Sequence, residues 1–183
     1  MKRIVALLVV AGLLAAMAAT VYAETATVSI TAGTLTVDAN DVTLSNVVLD
    51  GTDKTATSAA GSNSWAAEDA RGTGVGWHLT IDATDFTDGG KTINISAADQ
   101  EFKIQLLDTN IAVVSGNAQP TSSVITLAAI PEVPASALTF ASAALNEGMG
   151  SYTLSPNFEL EVPAETLVGN YSSTITVTAV SGP

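Results

Sequence analysis

Cysteine is absent from the 183 residues, so no disulfide staples the chain and its stability has to come from sheet pairing and apolar burial. Positive charge is scarce as well. Six Lys and Arg stand against 18 Asp and Glu, and two of the six, Lys2 and Arg3, sit at the extreme N terminus. Residues 24–183 therefore carry four basic and eighteen acidic side chains, a net charge of −14. That balance argues against nucleic acid as a partner and repels anionic lipid, while keeping an exported protein soluble. There is a single histidine, His78, and no serine stands in a Gly-x-Ser-x-Gly elbow, so neither a triad nor a general base is spelled out. Carboxylates for glycoside cleavage are plentiful, but the sequence singles out no pair. A carbohydrate-active enzyme is the least supported class, and the chain reads as non-catalytic.

Only one long apolar run occurs. It extends from Ile4 to about Ala19 behind Lys2-Arg3 and closes on the small-x-small site Val21-Tyr22-Ala23, so residues 1–23 read as a secretory signal peptide and Glu24 as the mature start. A run of that length sits near the lower limit for spanning a bilayer, and the cleavage site favours removal over a retained anchor. No second such run follows, so no membrane attachment is expected after cleavage, and the product is expected outside the cell. Residues 24–183 suit one domain with its own core.

Helical patterning is nearly missing. The dominant period is two, with Thr and Val alternating, which is an all-β signal. The pattern predicts strands over Ala26–Ile30, Thr34–Val37, Val42–Leu49, Gly76–Asp82, Thr92–Ser96, Glu101–Leu107, Ser122–Ala128, Ala137–Phe140, Ser151–Leu154, Asn157–Val162 and Tyr171–Val180. Roughly ten short strands with Pro, Gly and Asn between them predict an antiparallel β-sandwich. Trp77, Leu79 and Ile81 fall on one face of their strand and His78, Thr80 and Asp82 on the other; Phe102, Ile104 and Leu106, and Phe158, Leu160 and Val162, alternate in the same way. The last strand sets Tyr171, Ile175, Val177 and Ala179 against a ladder of Thr174, Thr176 and Thr178. A short helical turn is expected near Ala141–Asn146, and the Thr-, Ala- and Ser-rich stretch from Gly51 to Ser64 reads as a flexible loop.

The most informative segment is Asp69-Ala70-Arg71-Gly72-Thr73-Gly74-Val75-Gly76-Trp77-His78-Leu79, a glycine-rich turn running into a strand opened by one of two tryptophans. It resembles the signature of the WxL family of secreted bacterial surface proteins, in which an Asp-x-Arg-Gly-Thr-Gly type turn leads into Trp-x-Leu. The polar bend Asp82-Ala83-Thr84-Asp85-Phe86 and the later blocks Gly150–Leu154, Leu160–Ala164 and Gly169–Thr176 resemble the family in content and order, so the likeness runs from about Asp69 to Pro183. One departure stands out: the second Trp-x-Leu usual in the last strand is replaced by Val177 and Ala179. The resemblance implies a β-domain that associates noncovalently with peptidoglycan or another wall polymer at the cell surface, alone or with other exported proteins.

Specific residues follow from this. Trp77 and Leu79, with Trp65 and Tyr171, are the candidate wall contacts, stacking on the apolar face of a sugar; the competing and preferred role for Trp77 is a core side chain whose N–H meets a buried carbonyl. Asp82, Asp85 and Asp88 recur every three residues before Gly89-Gly90 and are the weak candidates for a calcium site, against the simpler reading of an exposed bend rich in turn-forming aspartates. No other cofactor is implied. A second functional class is an extracellular structural subunit that self-assembles by donating its Val- and Thr-rich N-terminal strand to a neighbour's sheet edge.

Overall fold

The computed structural model describes residues 24–97, 100–122, 124–127 and 137–183, so the signal-peptide segment 1–23 lies outside the described residues. The chain divides into two compact units, Met1–Thr31 and Ala32–Pro183. In the first unit the described residues 24–31 form no strand and are exposed, in contrast to the strand predicted over Ala26–Ile30. Alternation alone does not make a strand; a partner must supply the ladder of hydrogen bonds.

Among the described residues of the second unit every strand pairing is antiparallel, and the one helical element is a single 3-10 turn over Asp108–Asn110. One sheet has the order β1-β3-β12-β8, formed by β1 (Leu35–Asp38), β3 (Trp65–Asp69), β12 (Gly150–Leu154) and β8 (Ile111–Gly116). A second has the order β10-β7-β13-β2, formed by β10 (Val124–Leu127), β7 (Phe102–Gln105), β13 (Asn157–Val162) and β2 (Lys54–Thr57). A third has the order β14-β4-β11-β9, formed by β14 (Ile175–Ser181), β4 (Trp77–Ala83), β11 (Leu138–Ala143) and β9 (Thr121–Ser122). A hairpin of β5 (Phe86–Asp88) and β6 (Lys91–Ile93) completes the described strands.

The inward residues of these strands share one core. Phe102, Ile104, Leu106, Phe158, Leu160 and Val162 are all buried, as their alternation requires, and Ile175, Val177 and Ala179 pack partly buried against the same cluster. Aromatic rings link its parts: Trp65 meets Phe140 edge-on with centroids 6.0 Å apart, and Phe102 stacks on Phe158 at 5.6 Å. Such contacts add to the area term that dominates folding.

Several strands depart from the sequence pattern for identifiable reasons. β3 was not signalled, because Trp-Ala-Ala-Glu-Asp has weak strand propensity; its place between β1 and β12 overrides that, and Trp65, Ala67 and Asp69 are buried in alternation. β8, an edge strand with one buried residue, was likewise unsignalled. β2 lies inside the Gly51–Ser64 stretch that reads as a flexible loop: it needs only one inward side chain, and Ala56 fills that position opposite Leu160. The helical turn expected near Ala141–Asn146 is corrected, since Ala141–Ala143 continue β11 against β4. Thr80, assigned to the polar face, is 8 % exposed because β4 is an inner strand and Thr139 and Thr178 flank it on either side. Between Val42 and Leu49 the expected strand reduces to one bridge, Leu44 to Ser58. The apolar phase slips there: Val42 and Leu44 are two apart, then Val47 and Leu49 resume after a gap of three, so a regular strand would turn one pair to solvent. The chain instead leaves the ladder at Ser45-Asn46 and buries both pairs in part.

Candidate functional site

The glycine-rich turn works as a clasp. Asp69 ends β3 with its side chain fully shielded from solvent, and Arg71 closes on it with two parallel bonds, Nε to Oδ1 at 2.8 Å and Nη2 to Oδ2 at 2.8 Å. The Arg71 backbone N–H donates to Oδ1 as well, at 3.1 Å. The same guanidinium donates to the Gly76 carbonyl at 2.8 Å and to the Ser181 hydroxyl, so the end of β3, the start of β4 and the end of β14 meet at one cation. The Arg71 hydrogen bonds hold the Asp69 carboxyl below the usual carboxylate range against the opposing effect of burial, and Asp69 in turn raises the Arg71 value. Gly76 is required by this geometry: its φ is +74°, and an added Cβ would run into the Ala143 carbonyl oxygen. Gly76→Ala should destabilise the fold by about 1–3 kcal/mol or more through backbone strain, read as a lower denaturation midpoint with unchanged slope.

Trp77 emerges from the clasp directly into the core. It is 1 % exposed, its indole Nε1 donates to the Gly148 carbonyl at 2.8 Å, and its ring lies 6.1 Å from that of Tyr152. Leu79 is fully buried, and Trp65 is buried with Nε1 donating to the Asn40 carbonyl at 3.2 Å. None of the three offers a ring face or side chain to solvent, so contact with a wall polymer through them would require opening the core. β14 pairs with β4 so that Val177 lies beside Ile81 and Ala179 beside Leu79. Of the two positions where the second Trp-x-Leu would fall, Ala179 is therefore a direct neighbour of the first motif, while Trp77 itself lies beside Ser181.

Tyr171 is the exception among the candidates. Of the eight aromatic side chains among the described residues, seven are buried, and Tyr171 alone is partly exposed. It stands between two hollows. One is a largely aliphatic groove of about 640 Å³, lined by the buried or nearly buried Phe86, Ile93, Leu160 and Val162 together with the 44–49 segment and the 166–170 loop. The second is smaller, about 320 Å³, and polar: Lys91, Thr92, Gln100, Glu165 and Thr166 line it with the same tyrosine. The Tyr171 hydroxyl donates to the Leu167 carbonyl at 2.8 Å, fixing the ring. Gln100, Glu165 and Thr166 were not singled out by the sequence. The one signal for this region was Leu167-Val168, an apolar pair outside any alternation between Pro163 and Gly169-Asn170, and both side chains are exposed.

The three aspartates go separate ways. Asp82 lies within β4, Asp85 accepts the Ile95 N–H at 3.0 Å, and Asp88 pairs with Lys91 at 3.0 Å and accepts the Asn170 N–H at 3.2 Å. No group of three or more His, Cys, Asp or Glu side chains converges among the described residues. His78, partly buried, places Nδ1 2.7 Å from the Gly182 carbonyl, an acceptor, so that nitrogen carries a proton. All four basic residues of the segment 24–183 are engaged: Lys54 with Asp50 at 2.8 Å, Arg71 with Asp69, Lys91 with Asp88, and Lys103 with Glu101 at 2.6 Å and Glu161 at 2.9 Å. No helix among the described residues is long and apolar enough to cross a membrane.

An antiparallel β-domain whose tryptophan signature is anchored in its core, and whose exposed aromatic lies elsewhere, is the class that these observations define. Residues 23–183 match the family model described as WxL domain, surface cell wall-binding, and the chain belongs to that family. The match begins well before Asp69, so β1, β2 and β3 are part of the family's domain together with the motif-bearing strands. Neither the curated proteins nor the solved structures compared with the chain give a match.

Proposed function

We propose that the domain binds the cell wall noncovalently and without catalysis, and that it does so through the polar hollow beside Tyr171, with an uncharged stretch of peptidoglycan glycan as the ligand. The observation that carries this reading is that Tyr171 alone among the described aromatics is partly exposed, the other seven being buried. An aromatic face next to hydroxyl, amide and carboxylate groups suits a sugar, whose ring carbons stack while its hydroxyls exchange hydrogen bonds. The charge distribution supports a neutral glycan over an anionic wall polymer. Every basic side chain of residues 24–183 already sits on a carboxylate of its own chain, and the net charge is strongly negative.

Co-sedimentation with purified sacculi tests it. Wild type should pellet, and Tyr171→Ala should lose about tenfold or more in affinity while keeping its circular dichroism, because stacking is worth about 1–3 kcal/mol where it has been measured on ring-shaped ligands. Binding should change little between low and moderate salt, as expected of a contact made without ion pairs. A Tyr171→Ala variant that pellets like wild type would refute this site, and steep salt dependence would point to an anionic polymer instead.

A further inference from the structure

The four most exposed large hydrophobic side chains among the described residues fall into two pairs. Ile30 is 89 % and Val28 85 % exposed, both on the segment before β1; Val168 is 84 % and Val48 81 % exposed, both among the residues lining the groove. Single exposed hydrophobics are ordinary, but two unpartnered pairs of this kind on one small domain are a knob and a hole without occupants.

The groove has the character of a site for a strand. It lies where the 42–49 segment leaves the sheet after its phase slip, beside β2, whose one strand partner among the described residues is β13 and whose other edge is met by Leu44 and Ser45 at Ser58 and Thr57. Thr57 turns its backbone away from β13: its carbonyl accepts the Ser45 N–H at 2.8 Å and its N–H reaches the Ser45 hydroxyl at 3.0 Å. By the two-residue period of an antiparallel ladder, Thr55 turns its N–H and C=O the same way. Its lining sets Leu, Val, Ile and Phe side chains beside Ser45, Asn46, Thr166 and Asn170, uncharged throughout, which suits a strand that alternates apolar with hydroxyl residues.

The occupant is marked by pattern and charge. Thr25-Ala26-Thr27-Val28-Ser29-Ile30-Thr31 alternates small or apolar with hydroxyl residues and contains no ionisable side chain, in a chain with 18 acids. The groove's lining is likewise free of Asp, Glu, Lys and Arg, so this segment can enter without the repulsion that two copies of so acidic a chain otherwise feel. Residues 24–31 form no strand of their own, and the first backbone hydrogen bond of the second unit is made by Gly33, whose N–H donates to the Ala70 carbonyl at 2.8 Å.

We propose that the aliphatic groove receives the Thr25–Thr31 segment of a second copy of this chain, added as a strand beside β2 with Val28 and Ile30 facing the groove. This does not rest on the sugar reading. Tyr171 lines both hollows, so the two proposals are separated by changes in the segment alone: Val28→Ser with Ile30→Ser should weaken association and leave sedimentation with sacculi unchanged.

The test uses the chain expressed from Met1 in an exporting host and purified from the medium. Sedimentation velocity over a wide concentration range should show association, and Val28→Ser with Ile30→Ser should weaken it by about tenfold per side chain while leaving the melting temperature unchanged, since both residues are exposed in the single copy. Because the chain lacks cysteine, mixing Ile30→Cys with Val168→Cys should give oxidised heterodimers in excess of those from Ile30→Cys with Leu145→Cys, an exposed control position. A monomer at every concentration overturns the proposal. So does association that survives the double serine variant, or crosslinking no better than the control.

Discussion

Arg71→Ala should cost about 3–5 kcal/mol of folding stability, the largest effect expected of any charged residue in this domain. The substitution leaves the Asp69 carboxylate, fully enclosed at the end of β3, without its bidentate partner, and it also removes the donor to the Gly76 carbonyl and the link to Ser181. For a domain of this size the melting temperature should fall by roughly 6–20 °C. The pH dependence checks the cause. Asp69 is held below its unfolded value, so the pair's contribution is present in full above about pH 4 and is lost as pH falls through the lower folded value. In the Arg71→Ala protein the sign reverses, because a buried carboxyl without a cation is more readily protonated. Calorimetry from pH 7 down to pH 3 should therefore show the two proteins converging, and a gap that stays constant would mean that the loss is one of packing and not of charge.

Trp77→Ala should be as damaging by a different route. Removing the indole opens a cavity worth about 3–5 kcal/mol and leaves the Gly148 carbonyl without its donor. Gly148 has a φ of +71°, and a Cβ there would strike the Ala143 side chain and the indole nitrogen, so the loop is fitted to β11 and to this indole together. Trp77→Phe should lose less, about 1–3 kcal/mol, since it keeps much of the volume and forfeits the hydrogen bond. Denaturant titration measures both. Loss of wall sedimentation in Trp77→Ala would thus report unfolding, whereas Tyr171 packs only on the margin of the core, and Tyr171→Ala, with its fold checked by circular dichroism, separates binding from folding.

The family's signature was readable because it is local. Asp69, Arg71 and the alternating glycines close on one another within eight residues, and Trp77, Leu79 and Ile81 follow with the period of a strand; such spacing is written directly in the chain. The same holds for the inward faces of β7, β13 and β14. β3 was hidden because Trp-Ala-Ala-Glu-Asp is stabilised by the two strands beside it and by Arg71, none of which the segment itself declares. The 42–49 segment looked like a strand from its composition, and only its phase slip kept it out of the sheet.

The sequence by itself determined the all-β class, the acidic surface, the absence of disulfides and the turn that marks the WxL family, because each depends on residue type or on neighbours a few positions apart. Only the tertiary structure decided that Trp65 faces inward with Trp77 and Leu79 while Tyr171 stays partly exposed, and that Leu167, Val168 and Val48 border one groove. Alternation states that two faces of a strand differ; which of them is covered depends on strands more than sixty residues away, as Gly148 is from Trp77, and that is settled by packing.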